Sequence, residues 1–180
     1  MDVVSTSASD TMAIVVSGLD ANYESIAEII TVTGTTPVTT TQSFYRINSA
    51  TILAGSNVGN ITLSNGGTVY GYIGAEIGTT QACLFTTPAE HSLYIFRISL
   101  TSGTVNPNKF ITYRNRVDSS NGRTLRVANS TFQSDMQTFD RQIPFRVAPK
   151  SDFQFEAKSS SGTNEVSIFV EALLMRDKYA

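Results

Sequence analysis

The chain has 180 residues, a length that one all-β domain can fill and that can hold a core without staples. Its formal net charge is -2, and charged residues make up 16% of it against about 25% in ordinary globular domains. That balance argues against a nucleic-acid binder, and no run approaches the ~20 apolar residues of a membrane span. No basic segment followed by an apolar core marks a secretory signal, and the single cysteine, Cys83, excludes an intrachain disulfide.

The chain opens on Met1-Asp2-Val3-Val4-Ser5, which already reads as part of a strand, and so abrupt a start suggests a truncated N-terminus. Met12 to Ser17 and Ile26 to Thr33 read as two strands able to pair as a hairpin across Gly18 to Tyr23. Gln42 to Leu53 follows, with Phe44, Tyr45, Ile47 and Ile52 as its apolar positions. The clearest hairpin joins Asn60 to Leu63 with Thr68 to Ile73 through Ser64-Asn65-Gly66-Gly67, because Asn-Gly tolerates positive φ. Thr80 to Thr86, Ser92 to Leu100, Lys109 to Arg116, Arg123 to Ala128, Ile143 to Val147 and Asp152 to Ala157 continue the series. The last segment, Glu165 to Met175, has two faces: Val166, Ile168, Val170, Ala172 and Leu174 toward a core, and Ser167, Phe169 and Glu171 away from it. Short helical turns fit around Tyr23 to Ala27 and Ser130 to Gln137. About eleven short strands with turn-rich connections predict an all-β, antiparallel β-sandwich, jelly-roll-like, with residues 1–180 as one domain.

Catalytic chemistry finds little support. His91 is the only histidine and lies in a turn, Pro88-Ala89-Glu90-His91-Ser92, and no Gly-x-Ser-x-Gly elbow is present. One His and one Cys cannot furnish a usual zinc set, and no calcium-loop run occurs. No metal, cofactor or catalytic residue is assigned, and the chain reads as no enzyme. The enzyme that stays conceivable is a glycan hydrolase, if two of Glu24, Glu28, Glu76, Glu90, Glu156, Glu165 and Glu171 meet in a cleft. Cys83 sits in the apolar run Ala82-Cys83-Leu84-Phe85 and reads as a buried, inert thiol.

Two clusters suggest contact surfaces. Arg114, Arg116, Arg123 and Arg126 flank Asp118 to Gly122, which looks like a hairpin tip that brings both arms together. These arginines form either a partner-binding patch or salt bridges to Asp118, Asp135, Asp140 or Asp152. In Val69-Tyr70-Gly71-Tyr72-Ile73, Tyr70 and Tyr72 share one face, opposite Val69, Gly71 and Ile73, and serve either the core or an exposed platform.

The ordered series Gly18 to Tyr23, Val32 to Thr41, Ser43 to Ala50, Val58 to Thr62, Asn65 to Thr68, Gln81 to Cys83 and Thr86 to Tyr94 resembles virion structural proteins of marine tailed phages, the cyanophages and pelagiphages. Such proteins carry more residues before the equivalent of Met1. The resemblance implies a non-enzymatic particle component located in the virion, without saying whether it is capsid decoration, a head fibre or a tail or neck appendage. It implies action by self-assembly and docking onto other virion proteins, with homo-oligomers of closed symmetry such as trimers. The alternative is a receptor-binding module that recognises a host surface glycan.

Overall fold

The structure is a computed structural model, and it describes residues 1–102, 111–119, 124–132, 136–160 and 166–177. Among them are fourteen strands and no helix: β1 (Asp2–Ser5), β2 (Ala13–Leu19), β3 (Ser25–Thr31), β4 (Val38–Thr39), β5 (Arg46–Ile52), β6 (Ile61–Asn65) and β7 (Thr68–Ile73), then β8 (Leu84–Thr86), β9 (His91–Ser102), β10 (Ile111–Ser119), β11 (Thr124–Phe132), β12 (Met136–Val147), β13 (Ser151–Ser159) and β14 (Val166–Arg176). The all-β, antiparallel prediction holds, with more strands than the sequence suggests. The first expected helical turn is absent, since Tyr23 occupies a left-handed turn at φ 67°; of the second stretch, the described residues belong to β11 and β12, and residues 133–135 lie outside the described residues.

The chain divides into two compact units, Met1–Ala82 and Cys83–Ala180. Each unit is a two-sheet sandwich. In the first, a sheet ordered β4-β1-β6-β7 faces one ordered β3-β2-β5. Its core interleaves Val3, Ile61, Leu63 and Ile73 from one sheet with Ile14, Val16, Ile30 and Ala50 from the other. In the second, β11-β10-β13-β8 faces β12-β9-β14, and Val117 and Phe153 meet Leu93, Ile95, Ile98, Leu100 and Val147. These orders establish sandwiches; the jelly-roll connectivity is a finer detail that they do not carry.

Local chemistry accounts for the first unit's hairpins. β2 and β3 pair from Ala13 opposite Thr31 to Leu19 opposite Ser25, as the sequence suggests. Asp20 closes their loop, its Oδ1 accepting the backbone N–H groups of Asn22 (2.8 Å) and Glu24 (2.9 Å). β6 and β7 pair with Asn65 opposite Thr68, so the two turn residues are Gly66 and Gly67, at φ 56° and 83°. Positive φ at both central positions is what a type I′ turn needs. The turn is therefore Gly-Gly, one residue later than the Asn-Gly expected.

Candidate interaction surfaces

The predicted tyrosine pair lies on β7, an edge strand. Opposite β7, Leu63 pairs with Gly71 and Ser64 with Val69, leaving Tyr70 as an extra, bulged residue. Gly71 and Ile73 turn inward while Tyr70 and Tyr72 remain 56% and 48% exposed. Core packing is thus excluded for both rings. The bulge also corrects the face of Val69, which is exposed alongside the tyrosines. Both rings line an open groove of about 320 Å³ with Gln81 and Ala82.

Tyr70 also borders a cleft of about 270 Å³ with Met1, Phe44, Tyr45, Arg46 and Asn65. Tyr45 is one of its lining residues. The Tyr23 ring meets it edge-on at 5.4 Å and 71°, and the Arg46 guanidinium lies 4.4 Å above its centroid. Arg46 also donates from Nη1 to the Tyr45 carbonyl oxygen at 3.2 Å. The cleft offers an aromatic face, a cation and an amide, and its lining holds no carboxylate or histidine to move a proton. Tyr45 and Arg46 were not singled out in the sequence. The signal there is Phe44-Tyr45-Arg46 at a strand entry, where alternation cannot bury both rings.

The arginine hairpin belongs to the second unit. β10 and β11 pair antiparallel, so the two arms do come together, while residues 120–123, including Arg123 and the tip, lie outside the described residues. Arg116 is in register with Val127, and Arg126 with Val117; the side chain of Arg126 lies outside the described residues. Arg114 faces Glu156 across β10 and β13, Nη1 to Oε2 at 3.6 Å, and Arg116 Nε reaches Asp118 Oδ2 at 2.7 Å. The two arginines whose side chains are described therefore pair within the fold. Of the other acids proposed as their partners, Asp140 pairs instead with Arg97, Asp152 accepts a hydrogen bond from Thr86 Oγ1 at 2.6 Å, and Asp135 lies outside the described residues.

A third surface emerges only in three dimensions. In the sheet β12-β9-β14, Leu93 and Ile95 face inward, then Phe96 and Arg97 are both exposed, then Ile98 and Leu100 face inward again. Glu171 pairs with Arg97 and Ala172 with Ile95, so Phe96 is the bulged residue. Above the bulge, Arg97 bridges Asp140 on one neighbour and Glu171 on the other (3.4 Å), and both carboxylates raise its guanidinium pKa. Below it, the second half of β14 is bare. Val166, Ile168 and Val170 pack on the core as expected, but Leu174 stays 40% exposed although its register partner Leu93 is buried. Phe169, Leu173 and Met175 are exposed as well.

The reactive candidates are quiet. Burial pushes the Cys83 thiol up to about 11, so it carries no thiolate at neutral pH. His91 holds its Nδ1 2.7 Å from the Ala89 carbonyl oxygen. Among the described residues no three His, Cys, Asp or Glu side chains gather as a metal site, and no helix is long and apolar enough to cross a membrane. No protein-family model and no curated protein matches the chain.

Proposed function

We propose that the chain is a non-enzymatic structural component of a phage virion, acting through self-assembly and docking. What supports this reading is the exposed apolar surface on edge strands, above all the row Phe169, Leu173, Leu174 and Met175 on β14. Soluble monomers leave isolated apolar side chains in water; several large ones on a strand that has no outer partner among the described residues suit a docking surface. Its place on the particle is capsid decoration, a head fibre or a tail or neck appendage. The ordered sequence resemblance to marine-phage structural proteins points the same way.

The second reading is recognition of a host surface glycan, and the Tyr45 cleft favours it. A sugar's apolar face can stack on an aromatic ring while Arg46 and Asn65 serve its hydroxyl or acid groups. Immunogold labelling of purified virions tests the first reading: even label over heads, or label confined to tail or neck, supports it and places the protein, and absence of label overturns it. On a glycan array, binding that Tyr45→Ala abolishes carries the second reading, and no binding ends it.

A further inference from the structure

We propose that Asn65 is a site of spontaneous modification: its side-chain amide is lost by intramolecular deamidation, with the Gly66 backbone nitrogen as the nucleophile and water as the co-reactant. The proposal needs neither the virion reading nor the glycan reading.

An asparagine side chain and the next residue's backbone nitrogen can close a five-membered ring. Closure is held off by a Cβ on that next residue and by a backbone nitrogen held in a hydrogen-bonded ladder. Asn65 escapes both. Gly66 follows it, and no atom beyond the adjacent residues lies within 4 Å of where a Gly66 Cβ would stand. The turn uses Gly66 and Gly67 as its central pair, so Asn65 falls on the last rung of the ladder, opposite Thr68. The Gly66 nitrogen thus lies outside the ladder, at a hairpin tip. Asn65, Gly66, Gly67 and Thr68 are all exposed, so water and base reach the reacting atoms.

Other asparagines of the first unit are built differently. Asn57 is buried, precedes Val58, and spends its Nδ2 on the carbonyl oxygens of Gly59 and Gly74, each at 2.7 Å. Asn60 precedes Ile61, and its Oδ1 accepts the Ala75 N–H at 3.0 Å. Asn22 precedes Tyr23 and Asn48 precedes Ser49, so each meets a Cβ on the next residue. The second Asn-Gly pair, Asn121-Gly122, lies outside the described residues.

Base takes the proton from the Gly66 N–H, and the nitrogen attacks Asn65 Cγ. The new N–Cγ bond closes a succinimide as the Cγ–Nδ2 bond breaks, and Nδ2 gains a proton and leaves as ammonia. Nothing is oxidised or reduced. Water then opens the ring. Breaking the N–Cγ bond leaves aspartate; breaking the bond from nitrogen to the Asn65 main-chain carbonyl carbon leaves isoaspartate, with an extra carbon in the main chain. Either product adds one negative charge to the formal net charge of -2, making -3. Asn65 lines the cleft that also holds Tyr45, Arg46 and Tyr70, a lining with no carboxylate. Deamidation supplies one there, and the isoaspartyl form also lengthens β6 at its last rung.

For the test, the full chain is incubated in mildly alkaline buffer at physiological temperature, folded and in urea, then digested with trypsin. Asn65 falls in the peptide Ile47–Arg97 and Asn121 in Val117–Arg123, so the two Asn-Gly pairs report separately by mass. Ile47–Arg97 is expected to exchange an amide for an acid, with fragmentation placing the change on residue 65. The folded rate should lie within about tenfold of the rate in urea, because an exposed tip opens at little cost. Gly66→Ala should slow the reaction about tenfold by shielding the nitrogen. Asn65→Gln keeps both turn glycines and should abolish the change in that peptide, which keeps the test decisive if Gly66→Ala disturbs the turn. A folded chain that retains the amide while the chain in urea loses it overturns the proposal. So does a change that survives Asn65→Gln, or one that fragmentation places on Asn48, Asn57 or Asn60.

Discussion

Asp10 is fully buried, and its carboxylate ties three segments of the first unit together. It accepts from the Ser5 hydroxyl and from the backbone N–H groups of Val58 (2.8 Å) and Gly59 (3.0 Å). Burial acts to raise its pKa, but these three hydrogen bonds outweigh it and hold the group below its ordinary 3.8. A depressed folded pKa stabilises the fold above the unfolded value, and that stability is lost as pH falls through the folded one. Asp10→Asn is therefore expected to destabilise the first unit by about 2 kcal/mol at pH 7, since an amide N–H₂ must face donors already there. The difference from wild type should shrink below pH ~4 in thermal melts across pH; a gap constant down to pH 2 would contradict the assignment. Nothing around Ser7-Ala8-Ser9-Asp10 announces this role, because two of its three partners lie 48 and 49 residues away. Tyr70 and Tyr72 were easier to find, since strand alternation alone puts both on one face.

Turns and bulges decide what each element presents. Gly66 and Gly67 have open space where a Cβ would sit, so a substitution there meets backbone strain and no clash. Gly67→Val is expected to cost about 1–2 kcal/mol and Gly67→Asn much less, because Asn tolerates the left-handed region. Chemical denaturation measures both, and equal losses would show that the β6–β7 turn does not depend on positive φ. The bulge at Phe96 has a trace in the sequence: apolar residues fall at odd positions 93 and 95, then at even positions 98 and 100. The trace gives a change of parity. It does not reveal that β12 inserts four residues at the same level, which depends on which strands become neighbours. The expectation for β14 divides there too. The alternation places Val166, Ile168 and Val170 on the core side correctly, whereas Ala172 and Leu174, expected on the same side, are exposed, because alternation cannot tell how far an edge strand stays covered.

At the scale of the whole molecule, the sequence reads as one domain over 1–180, while the described residues form two compact units, each with its own core. The division falls between Ala82 and Cys83, inside a run that reads as one apolar strand from Thr80 to Thr86. No Pro-, Gly- or Ser-rich linker marks it, because unit boundaries are set by where contacts cease and only incidentally by composition. Fragments 1–82 and 83–180 are expected to fold separately, each with a cooperative melt and dispersed amide resonances. A first fragment without a cooperative transition would mean that its core does not suffice alone.

Composition and alternation determined the class of this protein. Low charge, abundant β-branched residues and frequent turn chemistry point to antiparallel sheets, and each of these is a local property of the chain. Tertiary structure decided the rest: the pairing of Arg114 with Glu156 across β10 and β13, the meeting of Tyr23 with Tyr45, and the exposure of the second half of β14. Each depends on which distant segments become neighbours, and that is settled by the joint burial of two sheets.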